Sequence, residues 1–395
     1  MRGAESPISI IGFSQDLRCG TGKNSLTLLL WYELKTKTME REIFYSEHKD
    51  KVIIISPIGE MNGVLDHLDR QEFKYKNLLI IGNGFDLNLG LKSTYRDFAE
   101  SCLFKRMYVK RQKEKRSKNN PTPSLIDYLY GKKFFERWYD IEAALLEYVS
   151  RKPDRSFVNN VNEDKEDYRL VCTTLVEYLA SLLNPHNHAK LSQIMDSSAA
   201  AKVLLKFRGK QNIVYSFNYT PITMIADLVF ANLKSEVVKV HGEIEEDSIF
   251  KDRLKDNSII LGIETNNLND IAPGYSFLLK SNNPSYKSTN MAYDLLCTKN
   301  VIFFGHSLNQ MDFGYFESYF KLLSTNADTR RKLTLITKDE NSRVTILDNL
   351  RKSGISVRDL FAHTQVDIIL TDDIDKEESE SNSNFNDLLE KLQDF

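Results

Sequence analysis

The fold of this chain can be predicted from one stretch, Leu78-Leu79-Ile80-Ile81-Gly82-Asn83-Gly84-Phe85-Asp86. Four consecutive apolar residues that end at a glycine are expected of a buried parallel strand. Glycines directly after such a strand let the backbone approach a nucleotide pyrophosphate, with N–H groups pointing toward it. The dinucleotide fingerprint is incomplete, because Leu87 occupies its third glycine position. We therefore predict a nucleotide-binding loop formed by Gly82, Asn83, Gly84, Phe85 and Asp86, with an ordinary tight turn as the alternative.

Short apolar runs recur beyond this loop, at residues 213–217, 237–240, 259–261, 301–304 and 333–336. Helical patterns separate several of these runs, and such alternation indicates a parallel sheet that is covered on both faces. The sequence therefore predicts an α/β domain over residues 77–370, with a Rossmann-like parallel sheet and helices on both faces.

A helical insertion is predicted over about residues 100–205. Thr94 and Asp97 have the spacing of a capping box just before it. Residues 134–149 and 170–183 then carry apolar side chains at helical spacing.

The two ends of the chain differ from the domain between them. Residues 1–76 form an N-terminal extension with strand-like runs at 8–13 and 52–55, and the sequence leaves its role open. Residues 371–395 form an acidic tail. Segment 372–386 of this tail is rich in acidic residues, serine and asparagine, so we predict that it is mobile.

Composition narrows the class of protein. The chain has 395 residues and a formal net charge of −2, which argues against a protein that works by neutralising a nucleic-acid backbone. The basic run at residues 105–118 contains one aromatic residue, Tyr108, so a solvated helix face is favoured over a nucleic-acid site. No dense cluster of histidine and carboxylate or cysteine residues is visible, so no metal site is predicted.

Cysteine usage and the N-terminus indicate the compartment. The four cysteines are scattered without a CxxC pair, which fits a reducing cytosol better than a disulfide framework. The N-terminal region lacks the pattern of a signal peptide, and its apolar runs are too short to span a membrane. We therefore expect a cytoplasmic protein that is not embedded in a membrane.

Two polar residues follow predicted strands, Asn218 after residues 213–217 and His241 after residues 237–240. Open α/β sheets place their ligand contacts at the carboxyl ends of strands. A histidine in that position has a pKa suited to a general base. The alternatives are that Asn218 caps the helix that begins near Pro221 and that His241 is structural.

Two further segments supply candidate ligand contacts. Gly305, His306 and Ser307 follow the apolar run at 301–304, and Asp312 lies close behind them, although a turn with a hydrogen-bonding serine is the alternative. Glu142 lies on the apolar side of a predicted helix, one turn after Trp138. A carboxylate there needs a partner, which is either a ligand hydroxyl or a buried salt bridge.

Five segments together resemble the AbiH family of bacterial phage abortive-infection proteins. They are residues 79–95, 138–142, 217–220, 240–242 and 304–312, they occur in the family's order, and the likeness runs from about residue 77 to 370. The same order is more distantly similar to SIR2-like (sirtuin-type) domains. Such domains carry a glycine-rich loop, a catalytic asparagine, a catalytic histidine and a second loop that contacts NAD.

The SIR2-like resemblance implies roles for Gly82 and Gly84 in the phosphate loop, for Asn218 and His241 in catalysis, and for Gly305 and Ser307 in the second nucleotide loop. The sequence departs from that pattern at Thr220, where an acidic residue is usual. It also lacks the four-cysteine zinc module of deacylating sirtuins. That absence disfavours a deacylase and favours the NAD-hydrolysing defence members.

The sequence therefore predicts a phage-defence effector that binds NAD and hydrolyses it to nicotinamide and ADP-ribose. His241 would act as the base, Asn218 would orient the ribose or the attacking water, and Asp86 or Glu142 would stabilise the positively charged ribose. The alternatives are a non-catalytic nucleotide-sensing module that controls a partner effector, and an RNA-directed toxin. A phage-derived trigger and homo-oligomeric assembly are left open.

Overall fold

A computed structural model gives the fold of the chain in two units, Met1–Glu72 and Phe73–Phe395. The residues that it describes are 31–36, 39–46, 51–55, 73–118, 122–132, 140–150, 161–184, 197–245, 249, 259–265, 271–287, 289–325 and 330–393.

The first unit contains a three-stranded antiparallel sheet. Its strands are β1 (Trp31–Thr36), β2 (Met39–Ser46) and β3 (Lys51–Ile55), and they pair in that order. The strand predicted at 52–55 is therefore confirmed, whereas the run predicted at 8–13 lies outside the described residues.

The second unit is built on a six-stranded sheet in which every neighbouring pair is parallel. Its strands are β4 (Tyr75–Ile81), β5 (Asn212–Ser216), β6 (Glu236–Lys239), β7 (Thr298–Phe304), β8 (Lys332–Thr337) and β9 (Gln365–Leu370). They lie in the order β6-β5-β4-β7-β8-β9. This is the strand order of the Rossmann fold, in which the chain runs outward from a central strand first to one side and then to the other.

Helices connect the strands. They are α1 (Asn83–Asn88), α2 (Tyr95–Glu100), α3 (Cys102–Ser117), α4 (Leu125–Lys132), α5 (Ile141–Ser150), α6 (Val161–Leu182), α7 (Ala199–Lys206), α8 (Ile222–Leu228), α9 (Met291–Leu296), α10 (Gln310–Phe313), α11 (Glu317–Thr325), α12 (Glu340–Lys352), α13 (Val357–His363) and α14 (Glu380–Gln393). The predicted capping box is present at the start of α2, where Thr94 and Asp97 bond each other's backbone N–H. Within the described ranges, no helix combines the length and the hydropathy needed to cross a bilayer.

Side chains of each central strand alternate between two cores, as the period of two in a strand requires. Leu79 and Ile81 of β4 pack in one core with the helices of the insertion, while Leu78 and Ile80 pack in the other with Phe316 and Phe320. The predicted α/β architecture, a parallel sheet covered on both faces, is therefore confirmed.

A buried row of amides crosses three strands at the edge of the sheet where those strands begin. Asn77 of β4 donates through Nδ2 to Oδ1 of Asn212 on β5, at 2.9 Å, and accepts at Oδ1 from Nδ2 of Asn300 on β7, also at 2.9 Å. These residues are also direct register partners. Since unpaired buried amides are costly, this row favours one register of the three strands.

Two predictions about elements are wrong. Residues 259–261 are not a regular strand, because only isolated bridges form there, from Ile259 to Gly242 and from Ile263 to Leu279. The tail segment predicted to be mobile instead enters α14, whose Phe385, Leu388 and Leu392 are buried against the main core.

Candidate functional site

A cavity of about 680 Å³ lies at the carboxyl ends of the central strands. Of the predicted site residues it is lined by Gly82, Asn83, Gly84, Asp86, Glu142, Asn218, His241, Gly305, His306, Ser307 and Asp312. The loops after β4 and β7 both border it, and these strands flank the point where the strand order reverses, which is the usual ligand crevice of open α/β sheets.

The two glycine loops pack directly on each other. The N–H of Gly84 donates to the carbonyl of Gly305 at 2.9 Å, and the N–H of Gly82 donates to the carbonyl of Phe304 at 3.0 Å. A Cβ on Gly84 would lie 2.7 Å from Cα of Gly305, and Gly305 itself has a φ of +65°. The glycines are therefore required for loop-to-loop contact, and these two N–H groups bind within the protein instead of pointing at a ligand.

The remaining residues of the first loop differ in their surroundings. Asn83 is exposed at the cavity and accepts a hydrogen bond from the hydroxyl of Ser93 at 2.7 Å. Phe85, by contrast, is fully buried and packs edge-on against Phe304 with ring centroids 5.1 Å apart. Phe85 is not among the cavity-lining residues, so its predicted ligand contact is replaced by a role in the core.

Asn218 is joined to the first loop by hydrogen bonds. Its Nδ2 donates to the carbonyl of Gly82 at 3.1 Å and to Oδ1 of Asp86 at 2.8 Å. Because both neighbours accept, the amide orientation is fixed, and Oδ1 of Asn218 is the atom that remains for a ligand. The capping alternative is not observed, since α8 begins at Ile222 after the N-cap residue Pro221 and has no side-chain cap.

The Asp86 carboxylate completes this group. Its Oδ2 accepts a hydrogen bond from the hydroxyl of Thr220 at 2.7 Å. Burial raises the pKa of Asp86 to about 6, against the opposing effect of the hydrogen bonds from Thr220 and Asn218. Thr220 stands where an acidic residue is usual in SIR2-like domains. In this structure a carboxylate does lie beside Thr220, but Asp86 supplies it from a distant part of the chain.

His241 lies in a second buried group with Asp312, Lys280 and Glu142. Nε2 of His241 is 3.3 Å from Oδ1 of Asp312 and 3.3 Å from Nζ of Lys280. The same Nζ lies 2.8 Å from Oε2 of Glu142 and 3.3 Å from Oδ1 of Asp312. Of the two partners proposed for Glu142, the buried salt bridge is present.

The charges of this second group depend on one another. Burial raises the pKa of Glu142, and the ammonium of Lys280 opposes that rise. Burial likewise disfavours charge on Asp312 and Lys280. It is outweighed at Lys280 by the attraction of Glu142 and Asp312, which raise its pKa, and at Asp312 by the attraction of Lys280 and His241, which lower its pKa. Oε1 of Glu142 is buried and has no hydrogen-bond partner among the described residues.

His306 is a neutral neighbour of this group. Its Nδ1 accepts a hydrogen bond from the N–H of Leu308 at 3.1 Å, which places the ring proton on Nε2. Burial lowers the pKa of His306 to about 4. Ser307, next in the chain, is exposed and borders the cavity.

Lys280 was not predicted from the sequence. It follows a short 3-10 turn, and the segment before it is held by hydrogen bonds from the N–H of Ile263 to the carbonyl of Leu278, at 2.9 Å, and from the N–H of Lys280 to the carbonyl of Ile263, at 3.0 Å. Gly262 permits this approach, since a Cβ there would lie 2.4 Å from the carbonyl oxygen of Leu278. The one feature of the sequence that could have indicated Lys280 was Glu142, because a carboxylate on the apolar side of a helix needs a partner such as a cation.

The helical insertion supplies an apolar and aromatic wall. Leu175 and Leu179 of α6 line the cavity, together with Tyr95 and Tyr219, whose hydroxyls are 3.2 Å apart. Trp138, predicted to share a helix face with Glu142, lies outside the described residues. In the part of the chain that the structure describes, no group of three or more His, Cys, Asp or Glu residues is arranged to hold a metal.

Comparison with known proteins agrees with the segments that carried the resemblance. No curated protein and no solved structure gives a match. A family model described as bacteriophage abortive infection AbiH matches residues 78–331, from β4 to the residue before β8, which is more than half of the chain. The chain therefore belongs to the AbiH family of bacteriophage abortive infection proteins.

Proposed function

We propose that the chain acts in abortive infection by binding NAD⁺ and hydrolysing it to nicotinamide and ADP-ribose. The observation that carries the proposal is the composition of one cavity, where Asn218, His241 and the buried carboxylate of Glu142 lie together at the switch point of a Rossmann-ordered sheet. The more distant resemblance to NAD-hydrolysing SIR2-like domains supports the same reaction.

The size and lining of the cavity suit a dinucleotide. Ligand pockets for small molecules typically enclose about 300–1,000 Å³ and combine an apolar lining with a few placed polar groups. The cavity of about 680 Å³ falls in this range. In the proposed complex, the wall formed by Leu175, Leu179, Tyr95 and Tyr219 contacts a planar ring, and the polar groups at the strand ends contact ribose.

The proposed reaction breaks the bond between nicotinamide and C1′ of its ribose. A water oxygen bonds to C1′, nicotinamide leaves with the electron pair of the broken bond, and the proton of the water passes to His241. Because Nε2 of His241 contacts Asp312, Nδ1 is the nitrogen assigned to this proton, and the carboxylate stabilises the imidazolium that results. Oδ1 of Asn218 accepts a hydrogen bond from the water or from a ribose hydroxyl.

Charge at the cavity favours the transition state of this reaction. The ribose becomes positively charged as nicotinamide departs, and carboxylates in a water-poor site stabilise such charge strongly. Glu142 and Asp86 both line the cavity and are buried, with Asp86 ionised above a pH of about 6.

His241→Ala tests the proposal. We expect release of nicotinamide from NAD⁺ to fall by about 10²–10⁴, because the general base is lost, while NAD⁺ binding measured by calorimetry persists. His363→Ala is the matched control, since that histidine is half-buried on α13, contacts Ser324 and does not line the cavity.

Three outcomes would contradict the proposal. A His241→Ala protein that releases nicotinamide at the wild-type rate removes His241 from the reaction. A wild-type protein that binds NAD⁺ in lysate from infected cells without cleaving it is a nucleotide sensor. A protein that shortens RNA and does not bind NAD⁺ is an RNA-directed toxin.

A further inference from the structure

Lys280 lies behind the cavity and does not line it. Its side chain is 2% exposed, yet its Nζ bonds the carboxylates of two residues that line the cavity, Glu142 and Asp312, and lies 3.3 Å from Nε2 of His241. We infer that Lys280 is a positioning residue that holds Glu142 as an ionised carboxylate and joins it to Asp312 and His241 in one unit. The inference rests on the proposed function for its role in catalysis.

The contacts of Lys280 join three separate elements. Glu142 begins α5, His241 follows β6, and Asp312 belongs to α10, so no local turn brings these side chains together. A single ammonium with three donors bonds one oxygen of each carboxylate. Oε2 of Glu142 bonds Lys280, while Oε1 is buried and has no partner among the described residues, so the ammonium of Lys280 is the main compensation for burying this carboxylate.

The buried carboxylate of Glu142 also needs Lys280 as its counter-ion. The titratable groups around Glu142 are Lys280, His241, Asp312 and Asp140, together with the phenols of Tyr95, Tyr219 and Tyr168. Lys280 is the one permanent cation in this group. Burial raises the pKa of Glu142 and Lys280 opposes that rise, so loss of Lys280 would raise this pKa further and disfavour the ionised carboxylate.

Lys280→Met keeps the aliphatic stem and removes the charge. How the stability of this variant changes with pH depends on the protonation of Glu142. A carboxyl group with a raised folded-state pKa contributes stability below its unfolded pKa and loses it as the pH rises. We therefore expect the melting temperature of Lys280→Met to lie further below that of the wild type at pH 8 than at pH 5.5.

The double variant Lys280→Met/Glu142→Gln separates charge from packing. It removes the cation and the carboxylate together and leaves Asp312 paired with His241. We expect its melting temperature to be higher than that of Lys280→Met at pH 8, because no unpaired carboxylate is left at position 142. A double variant that folds no better than Lys280→Met, or a single variant whose deficit is independent of pH, overturns the inference.

The pH dependence of nicotinamide release is a second measurement. It would not change if Lys280 had a purely structural role. We expect the pH profile of Lys280→Met to rise at higher pH than that of the wild type, because Glu142 must lose its proton first. Glu142→Gln is expected to be slow at every pH. An unshifted profile in Lys280→Met counts against the inference. If the wild type releases no nicotinamide, the proposed function fails, and the melting experiments still decide the role of Lys280.

Discussion

Asp86 is a buried carboxylate held by one amide and one hydroxyl, from Asn218 and Thr220. Neither donor carries a charge, so the desolvation of the carboxylate is only partly offset. Burial therefore raises the pKa of Asp86 to about 6, and its charge is available for the proposed cationic transition state only above that pH.

We predict that Asp86→Asn changes how stability depends on pH. Because the pKa is raised from 3.8 to about 6, Asp86 stabilises the fold below its unfolded pKa and this stabilisation is lost as the pH rises to about 6. Measured by urea denaturation, the free energy of unfolding of the variant relative to that of the wild type should rise by on the order of 3 kcal/mol between about pH 4 and 7. Asp375→Asn, the same change at an exposed position, should show a constant difference.

The residues around the cavity show which site positions can be predicted from the sequence and which cannot. Asn218, His241 and Gly305 were predictable because each follows an apolar run, and the ends of parallel strands meet at one edge of the sheet. Lys280 follows an irregular segment whose path is set by tertiary contacts, through Ile263 and Gly262. Glu142 required a cation, but no local pattern shows which of 53 lysines and arginines supplies it.

At the level of elements, α14 shows how composition can mislead. The acidic, serine-rich residues before Phe385 suggested a mobile tail, but Phe385, Leu388 and Leu392 lie at helical spacing and cover part of the core beside β9. The hydroxyl of Ser381 also accepts a hydrogen bond from the N–H of Leu370, at 3.0 Å. Apolar spacing therefore outweighs polar content in this segment.

We predict that Phe385→Ala destabilises the protein by about 3–5 kcal/mol, the usual cost of removing a buried aromatic ring. The free energy of unfolding from chemical denaturation measures it. Asp387→Ala, on the exposed face of the same helix, should change stability by less than about 0.5 kcal/mol. Equal effects of the two substitutions would show that α14 does not pack against the core.

For the whole molecule, alternation of strands and helices was enough to predict a parallel sheet, because each parallel connection needs a crossover. The strand order was not predictable in the same way. It depends on which apolar faces meet after the chain has crossed the sheet. The strand β9 was not predicted, because Gln365 and Asp367 interrupt its apolar residues and leave only a short continuous run.

We predict that a chain beginning at Phe73 folds and retains the cavity. That residue starts the second unit, and its ring lies 5.0 Å from the guanidinium of Arg331. Circular dichroism should show a cooperative melt, and calorimetry should show NAD⁺ binding equal to that of the full chain. An insoluble truncated chain would mean that strands from residues 1–72 are needed by the sheet.

The row of amides formed by Asn77, Asn212 and Asn300 has a consequence for accuracy at the opposite edge of the sheet. On each strand the residue that leaves the strand lies five positions after the asparagine, and these residues are Gly82, Phe217 and Gly305. A slip of one strand by one residue would leave amides unpaired and displace its loop by about 3.3 Å. The relative positions of the loops that border the cavity thus depend on side chains about 17 Å away, at the opposite ends of the same strands.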